Sequence, residues 1–211
     1  INVDVPGNNS SNAYSMWLYI TEWDTSGVKH VMTRFSNSSD NSNQYSPTVY
    51  LGQNSNTLNI VYQLDENSSS LINDKITIND FPIQSWTNLI ISTNTKTVDV
   101  YINGKLVRSH ILNIPPNNPK GKLYLGKLNK NVSNYPDAEQ SMVEVENKSI
   151  NSYSGYISTV NYFDSPLTPS DAWSIYTKGY DDGGIDSNVL GKYKIKMSIL
   201  DNNRELNSLE I

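Results

Sequence analysis

The sequence predicts an all-β protein: an antiparallel two-sheet sandwich with one short helix in its C-terminal half. Three observations carry this. Composition favours strands, with 3 Ala against 19 Ile and 14 Tyr in 211 residues. Apolar residues alternate with polar ones over several segments, the period of a strand. Turn signals recur about every 8–12 residues, the spacing of a sandwich or barrel.

Taken in order, Ala13–Thr21 is a strand with Tyr14, Met16, Leu18 and Ile20 on one face and Trp17 and Tyr19 on the other. Apolar on both faces, it belongs between two layers. Val28–Phe35 is a second strand after a turn over Asp24–Gly27. The polar run Asn37–Asn43 is a loop, and Thr48–Leu51 and Leu58–Leu64 form the next pair. Asn88–Ser92, Val98–Ile102 and Lys105–His110 make a meander. Its first turn falls in Thr93–Lys96, and Asn103-Gly104 closes the second, because a type I′ turn needs positive φ at both central positions. Leu123–Gly126 is a further strand, and Lys127–Ser152 is polar and irregular. Such a long segment is either functional or disordered.

Gly155–Phe163 is a strand that leads into the helix. Thr168 is the N-cap, Pro169 suits the first helical position, and Asp171 sits near the positive end of the dipole. Ala172, Ile175 and Tyr176 form its apolar face, and Gly179 closes it. Lys192–Leu200 alternates cleanly, Asp201–Asn203 turns, and Leu206–Ile211 returns. The expected organisation is one domain over 1–211, with the 192–211 hairpin part of the sandwich or appended to it.

Composition excludes several classes. No Cys means no disulfide scaffold, thiolate metal site or cysteine nucleophile. Sixteen Lys+Arg face twenty-one Asp+Glu without a basic stripe, so nucleic acid is not an expected partner. No segment reaches about 18 consecutive apolar residues, so none spans a bilayer as a helix. The 29 Asn and 13 Lys against 3 Arg fit AT-rich coding bias. Six N-x-[ST] sequons (Asn8, Asn9, Asn37, Asn67, Asn131, Asn147) equal the number chance gives for this composition, about 5.6, and carry no inference.

Three segments resemble the concanavalin A-like lectin/glucanase superfamily in its laminin-G/pentraxin-like form. They are AYSMWLYI (Ala13–Ile20), WTNLIISTNTKTVDVYINGKLVRS (Trp86–Ser109) and GYISTVNYFDSPLTPSDAWSIYTKG (Gly155–Gly179). The resemblance implies a jelly-roll sandwich. The opening NVDVPGNN and the closing YKIKMSIL also resemble single-domain proteins of this fold encoded by large DNA viruses, which carry an N-terminal hydrophobic anchor. That narrower resemblance implies a structural role on a virion or membrane surface, other virion or surface proteins as partners, and a membrane tether upstream of Ile1. An extracellular location is the alternative.

The leading expectation is therefore a non-catalytic, lectin-like module for attachment or assembly. A true glycan-binding lectin and a glycoside hydrolase of the same fold are the alternatives, because one architecture hosts all three. The resemblance makes hydrolysis worth testing against residues. Retaining members carry E-x-D-x-x-E on one strand, where alternation brings two carboxyls within about 5–5.5 Å. The nearest match, Glu22-Trp23-Asp24-Thr25-Ser26-Gly27, has Gly27 where the acid/base should stand. Glu144 and Glu146 form another pair but lie in the irregular segment. His30 and His110 sit in strands without a nucleophile motif or metal-ligand spacing, and read as surface or half-buried residues. No catalytic residue is expected.

The expected cofactor is none, with calcium the one candidate. Its loop oxygens would come from Asp181, Asp182 and Asp186. A glycan would need exposed aromatic rings flanked by amides and carboxylates. The loop candidates are Trp23, Tyr45, Tyr135 and Tyr153.

Overall fold

The computed structural model describes residues 2–3, 5, 10–35, 45–65, 71–116, 121–126, 151–180, 196–201 and 204–210. The chain divides into two compact units, Ile1–Tyr180 and Asp181–Ile211.

The first unit is a sandwich of two mainly antiparallel sheets. One holds β1 (Asn2–Val3), β10 (Leu123–Leu125), β3 (Lys29–Phe35), β4 (Tyr45–Leu51), β5 (Leu58–Asp65) and β6 (Leu71–Ile78) in that order. A short β11 (Asn151–Ser152) also pairs with β3, in parallel. The other sheet runs β12 (Ser154–Phe163), β2 (Asn12–Glu22), β7 (Thr87–Asn94), β8 (Thr97–Ile102), β9 (Lys105–Ile111). The second unit contributes a hairpin of β13 (Lys196–Asp201) and β14 (Arg204–Glu210). The expected strand began at Lys192, and residues 192–195 lie outside the described set.

The core lies between the two sheets of the first unit. Tyr14, Met16, Leu18 and Ile20 of β2 meet Leu89, Ile91, Val98 and Val100 on one side and Met32, Val49, Leu58, Ile60 and Leu64 on the other. Tyr62 crosses the interior and its hydroxyl meets Thr93 Oγ1 at 2.8 Å. Burying the polar end of a core tyrosine is tolerable because that bond replaces water. The outer face of the seven-stranded sheet is also buried, around Phe35, Tyr45, Tyr50 and Val61.

Strand β6 has no counterpart among the expected elements. Its interior positions are Asp74 and Ile76, and the carboxylate breaks the apolar alternation. Asp74 is kept there by the opposite sheet: its carboxylate accepts from His110 Nε2 at 2.7 Å and from the Asn113 amide at 3.1 Å. The expected irregular segment Lys127–Ser152 ends in strand β11. The first meander turn is tighter than expected, since β7 continues to Asn94 and only Thr95-Lys96 intervene, Thr95 at φ 55°.

Helix α1 (Pro169–Lys178) begins as the sequence implies. Thr168 Oγ1 accepts from the Asp171 amide while Asp171 accepts from the Thr168 amide, a reciprocal capping box worth about 1 kcal/mol. The helix lies on the outer face of the five-stranded sheet, with Ala172 against Ile90 and Tyr101. Asn103 (φ 51°) and Gly104 (φ 73°) form the predicted turn. A Cβ on Gly104 would stand 3.0 Å from Trp173 Cε3 and from Tyr176 Cβ, so glycine also lets the helix seat on the turn. No helix among the described residues is long and apolar enough to cross a membrane.

Candidate functional site

The face of β2 opposite the core carries Trp17 and Tyr19, and the helix covers only part of it. Tyr19 is flanked by Tyr156 on β12, its direct cross-strand partner, and by Trp86 just before β7, the ring centroids being 6.3 and 5.6 Å away. Trp86 stacks on Tyr180 at 4.6 Å with 11° between planes. Tyr180 meets Trp17 edge-on at 6.0 Å, Trp17 stacks on Tyr176 at 5.7 Å, and Tyr176 meets Trp173 at 5.6 Å. Seven rings thus form one unbroken row from β12 to the helix. These separations are those of favourable aromatic pairs, each contributing about 0.5–1.5 kcal/mol beyond burial. Three of the rings still face solvent: Tyr156 is 63% exposed, Trp173 51% and Tyr180 37%.

Polar side chains flank the Tyr156 end. Thr21, two residues along β2 from Tyr19, has its hydroxyl 3.0 Å from that of Ser154. Exposed Gln84 is held by its amide to the Ile20 carbonyl at 2.8 Å and donates through Nε2 to the Thr21 carbonyl at 3.5 Å. The row therefore joins ring faces to hydroxyl and amide groups, a combination that suits a polyhydroxylated ligand with apolar C–H faces.

The expected glycan candidates fall elsewhere. Trp23 is half-buried, donates through Nε1 to the Gln53 carbonyl at 3.1 Å, and has the Lys29 ammonium 4.0 Å over its ring. One face of that indole is thus occupied by a cation. Tyr45 is not a loop residue: it opens β4 and is buried with Phe35, Tyr50 and Val61. Tyr153 is likewise buried in the main core. Burial pushes both phenols well above their usual pKa of 10.0. Both rings serve packing: Tyr45 sits with Phe35, Tyr50 and Val61, and Tyr153, between β11 and β12, belongs to the main core. Tyr135 lies outside the described residues, as do Asp181, Asp182, Asp186, Glu144 and Glu146. Among the described residues no group of three or more His, Asp or Glu could hold a metal ion.

Lys29 itself is buried. Its Nζ donates to the carbonyls of Gly27, Gly52 and Gln53 at 3.3, 3.0 and 3.1 Å. Desolvation lowers its pKa from 10.5, opposed by the Asp24 carboxylate. Asp24 closes a turn, accepting from the Ser26 amide at 2.8 Å and the Ser26 hydroxyl at 2.5 Å. Glu22 is the last residue of β2, so strand alternation does not reach Asp24 and does not align the two carboxylates on one face. His110 is half-buried and held by Asp74, as expected, whereas His30 is fully buried, its imidazole bonded to the Gly126 carbonyl and the Thr33 hydroxyl.

Sequence reasoning missed the row itself, apart from Trp17 and Tyr19 as the second face of β2. The available signal was Trp173, which falls beside the Ala172–Ile175–Tyr176 face of the helix and so leaves about half of its indole in solvent.

The family model described as the concanavalin A-like lectin/glucanases superfamily matches residues 2–172. No curated protein matches the chain. Among solved structures, the chain is similar to the receptor binding domain of botulinum neurotoxin D, at 13% identity and TM-score 0.55, over 79% of this chain and 37% of that one. It is similar to the corresponding domain of the C/D mosaic serotype at 13% identity and TM-score 0.55, over 81% and 37%. A third is the binding domain of botulinum neurotoxin DC in complex with SialylT, at 16% identity and TM-score 0.52, over 80% and 35%. The chain thus spans well under half of each of these, and the likeness is one of fold.

Proposed function

The chain belongs to the concanavalin A-like lectin/glucanases superfamily, and we propose that it is a non-catalytic attachment module that holds a glycan on the outer face of its five-stranded sheet. The observation that carries this reading is the row of seven rings, solvent-facing at Tyr156, Tyr180 and Trp173, with Gln84, Thr21 and Ser154 beside it. Sugar rings stack their C–H faces on aromatic planes and spend their hydroxyls on neighbouring amides and carboxylates. The similar structures support the class of role: they are receptor-binding domains, and one was solved in complex with SialylT. The module works at a virion or membrane surface, among other surface proteins, a placement that fractionation of the full-length product tests.

A glycan array followed by titration of the strongest ligand tests the reading. Tyr156→Ala and Trp173→Ala each remove a solvent-facing ring and are expected to weaken binding by up to about tenfold, the equivalent of one aromatic stack. Both variants are expected to keep the wild-type melting temperature to within a few degrees. A silent array, or both variants binding as wild type, would overturn the proposal. Catalysis is tested separately on laminarin, xyloglucan, agar and chitin. No turnover is expected, and turnover abolished by Glu22→Gln would contradict the non-catalytic reading.

A further inference from the structure

Strand β9 is an edge of the five-stranded sheet, and among the described residues it pairs with β8 alone. Every position from Lys105 to Ser109 is exposed. Leu106 is 50% exposed, Val107 45% and Ile111 72%, so the edge presents apolar side chains to water.

The register assigns each side chain to a face. Lys105 stands opposite Ile102, Arg108 opposite Val100 and His110 opposite Val98, while Leu106 stands opposite Tyr101, Ser109 opposite Asp99 and Ile111 opposite Thr97. Directly opposed residues share a sheet face. Val98 and Val100 belong to the core and Ile102 packs against it, so Lys105, Arg108 and His110 line one face. Tyr101 lies under the helix, so Leu106, Ser109 and Ile111 line the other. A register shift between Val100 and Tyr101 makes this possible, with Val107 as the extra residue. Strict alternation would instead have grouped Lys105 with Val107 and Ser109. Bulges next to functional edges often re-aim side chains in this way. His110 is engaged by Asp74 across the sheets, so Lys105 and Arg108 are the exposed cations on that core-side face of the edge.

Charge selects the occupant. A second β9 docking antiparallel would set cations against cations, which disfavours self-pairing. We propose that β9 is a docking edge for an extended acidic segment of a partner protein, added as a further strand. Carboxylates on one side of that segment meet Lys105 and Arg108, apolar side chains on the other meet Leu106 and Ile111, and main-chain hydrogen bonds supply the rest. This site lies at the opposite edge of the sheet from Tyr156 and is independent of the glycan reading.

The test uses three synthetic peptides of the length of β9: alternating Glu and Val, alternating Lys and Val, and the Glu/Val composition with its alternation scrambled. Fluorescence anisotropy measures binding to the whole chain, and hydrogen exchange maps it. The alternating acidic peptide is expected to bind, to protect amides of β9, and to weaken with added salt. Lys105→Glu combined with Arg108→Glu is expected to weaken it about tenfold and to gain affinity for the Lys/Val peptide, since two exposed charge pairs change sign. Both substitutions are at exposed positions, and thermal melting checks that the fold is kept. The proposal is overturned if no peptide binds, if the scrambled or basic peptide binds wild type equally well, if the charge reversal has no effect, or if protection appears away from β9.

Discussion

Gly155→Ala is expected to cost about 3–5 kcal/mol of folding stability, from backbone strain and overpacking combined. Gly155 has a φ of 154°, and a Cβ built there falls 1.9 Å from the Tyr19 carbonyl oxygen and 3.0 Å from Ile20 Cα. Both are backbone atoms of β2, so no side chain can swing aside. Relief requires β12 to move off β2 at the register shift between Ser154 and Gly155. That movement would also separate Tyr156 from Tyr19, so ligand affinity is expected to fall with stability. Gly126→Ala is the matched comparison: its φ is 69°, but nothing among the described residues beyond its chain neighbours lies within 4 Å of the added atom. It is expected to cost only the backbone term, about 1 kcal/mol. Urea unfolding of both variants decides the matter, and equal losses would refute the close approach at Gly155.

Acid is expected to remove about 3 kcal/mol of stability through His30 alone. Burial pushes the pKa of this imidazole down from 6.5 to about 4, although its bond to Gly126 opposes the shift. The Gly126 carbonyl can only accept, so Nδ1 carries the proton and Nε2 accepts from the Thr33 hydroxyl at 2.8 Å. The folded protein therefore keeps His30 neutral to about pH 4, while the unfolded chain takes up a proton below 6.5. The contribution is fully present above pH 6.5 and is lost as pH falls toward 4, at about 1.4 kcal/mol per unit. Between pH 6.5 and 5 ordinary carboxylates contribute little, so the slope there reports the histidine. His30→Gln is expected to flatten that slope whatever its effect on the absolute stability. An unchanged slope in the variant would show that the imidazole is not held neutral.

Much of the sandwich was legible because strands write themselves as alternation. Tyr14, Met16, Leu18 and Ile20 face the core as their spacing implies, and Thr168, Asp171, Asn103 and Gly104 perform the local chemistry their types suit. Strand β6 was not legible, because an interior carboxylate reads as solvent-exposed until its partner, His110, is seen 36 residues away on the other sheet. The site was less legible for a related reason. A tyrosine read as a loop residue carries no mark of whether its ring is covered, so Tyr45 and Tyr153 read as exposed though both are buried. Tyr19, Trp86, Tyr156 and Tyr180 become one surface only when the ends of three strands and the second residue after the helix converge.

The most direct measurement on the attachment face is a ¹H–¹⁵N spectrum of the indole groups during titration with the strongest glycan from the array. The four indoles report separate places: Trp86 and Trp173 at accessible parts of the row, Trp17 buried within it, and Trp23 under the Lys29 ammonium. The account expects saturable shifts at Trp86 and Trp173 with Trp23 unmoved. Shifts confined to Trp23, or binding that leaves Trp86 and Trp173 unchanged, would contradict it.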